Sequence, residues 1–127
     1  MRVLLDTQAF IWLTDSPEVL PHNVVQIITD VRTNLLVSIA TPWEMAIKKS
    51  IGKLATRHSV QEFMALYDDV ITFLPITAKY LATVETLPLH HRDPFDRIII
   101  AQALTERIPI ISSDAAFDGY GVQRMWE

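Results

Sequence analysis

The chain has 127 residues, 50% of them hydrophobic and 20% charged, with a net charge of -4 and no cysteine. That length supports one folded domain spanning residues 1–127, and the composition excludes disorder. Disulfides, thiolate zinc sites and cysteine nucleophiles are ruled out, and the weak negative charge leaves no bulk basic surface for nucleic acid.

The first apolar run, Val3-Leu4-Leu5, lacks alternation and predicts a strand covered on both faces. A helix is expected over Thr7–Leu13, broken by Ser16-Pro17, and another over Pro21–Arg32 on the spacing of Val24, Val25, Ile28 and Val31. Leu35–Ile39 reads as the second strand and Pro42–Ser50 as a helix ending near Gly52. Ser59–Asp69 follows as helix, Ile71–Leu74 as the third strand and Thr77–Thr86 as helix. After a loop at Leu87–Arg92, the β-branched Ile98-Ile99-Ile100 sits inside a helix predicted over Pro94–Arg107, because a cap precedes it and Ala101-Gln102-Ala103-Leu104 follows. Pro109–Ser112 is the fourth strand and Val122–Trp126 a short fifth. Strands alternating with helices predict a mainly parallel sheet of four to five strands in a three-layer α/β/α sandwich.

Four short stretches each place an acid where a helix begins: Leu4-Leu5-Asp6-Thr7, Thr41-Pro42-Trp43-Glu44, Asp93-Pro94-Phe95-Asp96 and Ser112-Ser113-Asp114. Singly, each reads as a cap. Thr41 and Glu44 fit a capping box around Pro42, Asp93 caps the next such helix, Asp6 or Thr7 the first, and Ser113 or Asp114 a turn at Ala115-Ala116-Phe117. Together, on a parallel sheet, they converge at the carboxyl edge of the strands, where open α/β sheets bind ligands. Helix N-termini also favour ionised carboxylates, by ~0.3–1 kcal/mol each. An all-oxygen set suits Mg²⁺ or Mn²⁺ and the cleavage of phosphodiesters.

Around this set, Lys48, Lys49, Lys53 and Arg57 form a candidate phosphate-binding strip, and Arg97 could pair with phosphate or with neighbouring carboxylates. His90 and His91 read as a solvated loop within reach of substrate. Trp12, Leu13, Trp43, Phe63 and Tyr67 are expected in the core.

The stretches Leu4–Trp12, Trp43–Lys48, Gly52-Lys53-Leu54, Leu89–Arg97 through Ala101-Gln102-Ala103, and Ser112-Ser113-Asp114 run in order along essentially the whole chain and resemble a PIN domain. More specifically, they resemble VapC-type ribonuclease toxins of type II toxin–antitoxin pairs; His91-Arg92-Asp93-Pro94-Phe95-Asp96-Arg97 is the specific run. The resemblance implies Mg²⁺- or Mn²⁺-dependent cleavage of RNA, with Asp6, Glu44, Asp96 and Asp114 as the catalytic, metal-coordinating acids. Asp93, Ser112 and Thr7 are auxiliary candidates, and Lys48, Lys49, Lys53 and Arg97 RNA-contact candidates. It also implies a cognate antitoxin seated on the helices around Phe10 to Val25, and a homodimer. Gln8 departs from the pattern, standing where many relatives carry histidine.

A phosphoacceptor receiver domain is excluded, because the third strand runs into Pro75-Ile76-Thr77 with no acid. A catalytically weak or inactive nucleic-acid-binding module and a DNA nuclease remain as competing readings. No apolar run reaches the ~20 residues that cross a bilayer, and Asp6 and Gln8 interrupt the N-terminal one, so a soluble protein in the reducing cytoplasm is expected.

Overall fold

The computed structural model describes all residues, 1–127. Five strands, β1 (Arg2–Leu5), β2 (Asn34–Ser38), β3 (Ile71–Leu74), β4 (Ile110–Ile111) and β5 (Arg124–Met125), form one sheet in the order β3-β2-β1-β4-β5. Every pairing is parallel. Six α-helices connect them: α1 (Thr7–Asp15), α2 (His22–Thr29), α3 (Ala40–Ser50), α4 (Val60–Leu66), α5 (Ala78–Thr86) and α6 (Pro94–Glu106). Short 3₁₀ helices at Pro17–Val19 and Ala115–Tyr120 complete the chain.

Apolar side chains on both strand faces explain the missing alternation. Val3 and Leu5 of β1 join Leu35, Val37 and Ile111 in one cluster with Phe10 of α1, Val24 of α2, Met45 of α3 and Phe63 of α4. Leu4 joins Leu36 and Ile110 in the other, against Tyr80 of α5, Ile98 to Ile100 of α6 and Phe117. Phe10 anchors the first layer, meeting Phe63, Tyr67 and Phe73 edge-on at centroid distances of 6.2, 6.2 and 6.3 Å. Truncating such a ring costs about 3–5 kcal/mol. The α/β/α sandwich is therefore as expected, with Ile98-Ile99-Ile100 inside α6.

Several local expectations are corrected. Helix α3 starts at Ala40, and Thr41 is not its cap; the Ser38 hydroxyl accepts the Ala40 N–H at 3.1 Å, while Thr41 Oγ1 meets Thr7 Oγ1 at 3.0 Å. Helix α2 stops at Thr29, and Val31 is 98% exposed, because Asp30 and Arg32 close a local turn by pairing with each other. Helix α4 covers only Val60–Leu66, opened by a capping box of Ser59 and Glu62. Arg107 leaves α6 in the left-handed region at φ 56°, and β4 and β5 are two residues each.

Among these expected core positions, Phe63 is buried and Trp12, Leu13 and Tyr67 pack partly on the core. Trp43 is the exception. Its helix turns Ala40, Thr41, Glu44 and Met45 inward, which leaves Trp43 57% exposed with its ring edge-on to Phe95 at 4.9 Å. No helix is long and apolar enough to cross a membrane.

Candidate metal centre

Parallel strands with right-handed crossovers bring the loops after β1, β2 and β4 to one edge of the sheet. Asp6 directly follows β1, and its backbone N–H donates to Ile111 O of β4 at 3.1 Å, which places it beside the loop carrying Ser112 and Asp114. Helix α3 begins two residues after β2 and contributes Glu44; α6 contributes Asp96. A cleft of about 310 Å³ at this edge is lined by Asp6, Glu44, Asp93, Asp96 and Asp114, with Lys48 its single basic lining residue. Thr7, Gln8, Ile11 and Ser113 complete the wall.

Capping and site-building coexist because each cap uses a single carboxylate oxygen. Asp6 Oδ1 accepts the Ala9 N–H at 2.8 Å, and Asp114 Oδ1 the Ala116 N–H at 3.0 Å. Asp93 Oδ1 accepts from both Phe95 and Asp96, at 2.8 and 3.1 Å, so its capping role is as expected while it also lines the cleft. Glu44 Oε2 pairs with Lys48 Nζ at 2.7 Å, whereas Glu44 Oε1 is buried without any partner. Among the auxiliary residues, Ser112 Oγ is buried and accepts the Asp114 N–H at 3.0 Å, and Thr7 is occupied with Thr41.

The crowding raises two carboxyls. Burial, followed by the charge of Asp93, pushes Asp96 from 3.8 up to about 7; the charges of Glu44 and Asp6 add to the rise and His91 opposes it. Burial lifts Asp6 to about 6, helped by Asp114 and Glu44, although the Ser112 hydroxyl and the Ala9 amide pull it down. Both ionised forms are costly until a positive charge enters the cleft.

His91, expected in a solvated loop, belongs to this cluster. Its Nε2 lies 3.0 Å from Asp96 Oδ2 and 3.4 Å from Asp114 Oδ2, and one donor atom from each of the three lies within 4.8 Å of the others. Asp6 and Glu44 are outside that triplet and meet Asp96 and Asp114 across the cleft lining instead. Two adjacent histidines in a loop carry no periodic signal. The usable clue was that His91 stands two residues before the α6 cap, which anchors its backbone next to Asp96.

Most of the basic side chains expected in a strip already have partners within the fold. Lys48 is tied to Glu44, and Lys49 Nζ is tied to Thr56 and to the His58 carbonyl, holding the segment after α3. Arg57 turns to Asp15 and the Thr14 carbonyl, and of these four only Lys53 is exposed without a side-chain partner. Arg97 is committed to Pro88 O at 2.9 Å, Leu87 O at 3.1 Å and His91 O at 3.3 Å, so it staples the loop before α6 rather than offering itself to a phosphate. A flexible cation finds the nearest acceptor, and here tertiary packing supplies one to nearly every candidate.

The PIN domain family model matches residues 3–122. Among curated proteins none matches. Solved structures share the fold at low identity. A chain of the VapBC2 complex from Rickettsia felis, bound to a DNA fragment from the promoter, superposes with a TM-score of 0.74 at 13% identity over 100% of both chains. VapBC-1 from nontypeable Haemophilus influenzae gives 0.70 at 19% identity over 98% of this chain and 97% of that one. A toxin–antitoxin complex from Klebsiella pneumoniae gives 0.61 at 21% identity, covering 92% and 91%.

Proposed function

We propose that this chain, which belongs to the PIN-domain family, is a divalent-metal-dependent endoribonuclease acting as the toxin of a type II toxin–antitoxin pair. The observation that carries the nuclease reading is the cleft with five carboxylates and one lysine, in which Glu44 Oε1 is buried and unpartnered. An orphaned buried carboxylate oxygen is expensive unless a cation meets it. Oxygen donors of this kind fit Mg²⁺ or Mn²⁺. When bound, such an ion supplies an activated water and charge compensation for phosphodiester hydrolysis.

Asp6, Glu44, Asp96 and Asp114 would hold the ion, each presenting oxygens whose carboxyl group is already oriented by the protein. Asp93 keeps the first turn of α6 in place and adds negative potential, which discourages anions until the ion is bound. Lys48 fixes Glu44 and leaves the cleft less negative on that side.

The toxin half of the proposal is supported by the fold shared with two VapBC complexes and with a toxin–antitoxin complex. A cognate antitoxin would cover the N-terminal helices, where Val19 and Val25 are exposed at 46% and 37%, and carry a basic side chain towards the acids. A homodimer is part of the same reading. The deciding experiment is purified protein against RNAs and single-stranded DNAs with Mg²⁺, Mn²⁺ or EDTA. RNA cleavage that EDTA abolishes supports the proposal. Cleavage of DNA alone, or binding without cleavage, overturns it.

A further inference from the structure

His91 is the one side chain of the cluster that contributes nitrogen, and its surroundings define which role that nitrogen can take. Nδ1 accepts the Asp93 backbone N–H at 3.2 Å. An imidazole whose Nδ1 lone pair is used in this way carries its hydrogen on Nε2. Nε2 is therefore a donor towards Asp96 Oδ2 and Asp114 Oδ2, at 3.0 and 3.4 Å. Coordination of a cation through Nε2 would leave both ring nitrogens without hydrogen, an imidazolate, so His91 as placed is not a ligand. Losing the Nε2 proton to a leaving oxygen would produce the same anion, so it is not a proton donor in the reaction either.

The loop around it is built to hold that ring. The Tyr120 hydroxyl accepts the His91 N–H at 2.6 Å, Arg97 Nη1 donates to the His91 carbonyl at 3.3 Å, and the ring packs edge-on to Phe117 at 5.8 Å. The cleft that Asp96 and Asp114 line is also lined by Glu44, whose Oε1 is unpartnered on a side chain only 6% exposed, which independently marks the cleft as a place for a cation.

We propose that His91 is a positioning residue of the metal centre: its Nε2–H ties together the carboxylates of Asp96 and Asp114, which α6 and the turn after β4 contribute separately, and sets their spacing for a hard divalent cation. The inference rests on the metal-dependent reading above. Donors behind ligating carboxylates typically govern affinity by 10–100-fold.

The test uses Mn²⁺ bound to the full-length protein, followed by electron paramagnetic resonance, with wild type, His91→Gln and His91→Leu. Gln can place an amide N–H near the Nε2 position, and Leu cannot donate. Expected are a Mn²⁺ affinity reduced about 10–100-fold in His91→Leu, substantial recovery in His91→Gln, and no directly coordinated ¹⁴N in the wild-type spin-echo spectrum. A ¹⁴N coupling of a bound imidazole overturns the positioning role, as does a folded Leu variant that binds Mn²⁺ like wild type. Should His91→Leu fail to fold, a folded His91→Gln with Mn²⁺ affinity as low as that of Asp96→Asn also overturns it. Wild-type protein that binds no Mn²⁺ removes the metal reading itself, a distinct outcome.

Discussion

Asp96→Asn should make the metal-free protein more stable, and the size and pH dependence follow from the cleft. A carboxyl held at about 7 instead of 3.8 disfavours its charged form by roughly 4 kcal/mol once fully ionised. Water entering an open cleft screens part of this, and ~1 kcal/mol is a conservative remainder. Asn keeps the shape and an acceptor for His91, so it mimics the protonated acid. The helix-dipole benefit it forgoes at the start of α6 is about 0.3–1 kcal/mol, already opposed within the raised value. Because the folded-state value lies above the unfolded one, no penalty exists below about pH 4. It grows as pH rises through about 7. For a domain of this size 1 kcal/mol moves Tm by about 3–6 °C. In EDTA at pH 8 the variant should therefore melt at least ~3 °C above wild type, and the gap should close as pH is lowered towards 4. Millimolar Mg²⁺ or Mn²⁺ should then raise wild type more than the variant, since binding to the native state alone is stabilising. Thermal melts across pH, with and without metal, measure this. A variant that melts below wild type at pH 8 in EDTA, with equal metal shifts in both, would refute the clustered-charge reasoning and leave Asp96 a residue of the helix start only.

Asp6→Asn and Asp114→Asn retain their capping oxygens and should abolish metal-dependent RNA cleavage and growth arrest on expression; folded variants that stay toxic would remove those acids from the site. Glu44→Gln should lose activity as well, and because Lys48 then lacks its partner, a lower Tm is expected on calorimetry. Arg97→Lys cannot span the Pro88, Leu87 and His91 carbonyls, so about 1–3 kcal/mol of stability and the protease resistance of the 87–92 loop should be lost together. Glu106 is held down to about 2, chiefly by Lys79, then Tyr80 and Arg2, so its contribution is present above about pH 4.5 and disappears as pH falls to about 2. Glu106→Gln should accordingly be less stable than wild type at pH 7 and indistinguishable at pH 2 in denaturant titrations.

The order of strands and helices, the parallel sheet and the edge on which the acids converge were legible in the sequence, because each rests on short-range signals. Apolar runs such as Leu35-Leu36-Val37 state that both faces are covered. Asp93-Pro94 states where a helix begins, and Asp93 does cap it. Asp6, Glu44, Asp96 and Asp114 followed from those signals together with right-handed crossovers, which need no side-chain detail. What the tertiary structure decided is which partner each polar group meets. Thr41 has a capping pattern, yet packing brings Thr7 to its hydroxyl, and Ser38 serves the helix start. Arg97 follows an acid in sequence, yet three carbonyls of the preceding loop surround it. His91 looked like loop surface until Tyr120, from 29 residues further along, fastened its backbone beside Asp96 and Asp114. Periodicity and caps are properties of a few consecutive residues, whereas hydrogen bonds and ion pairs depend on atoms being placed to within about an ångström, and those positions are set only when the layers close.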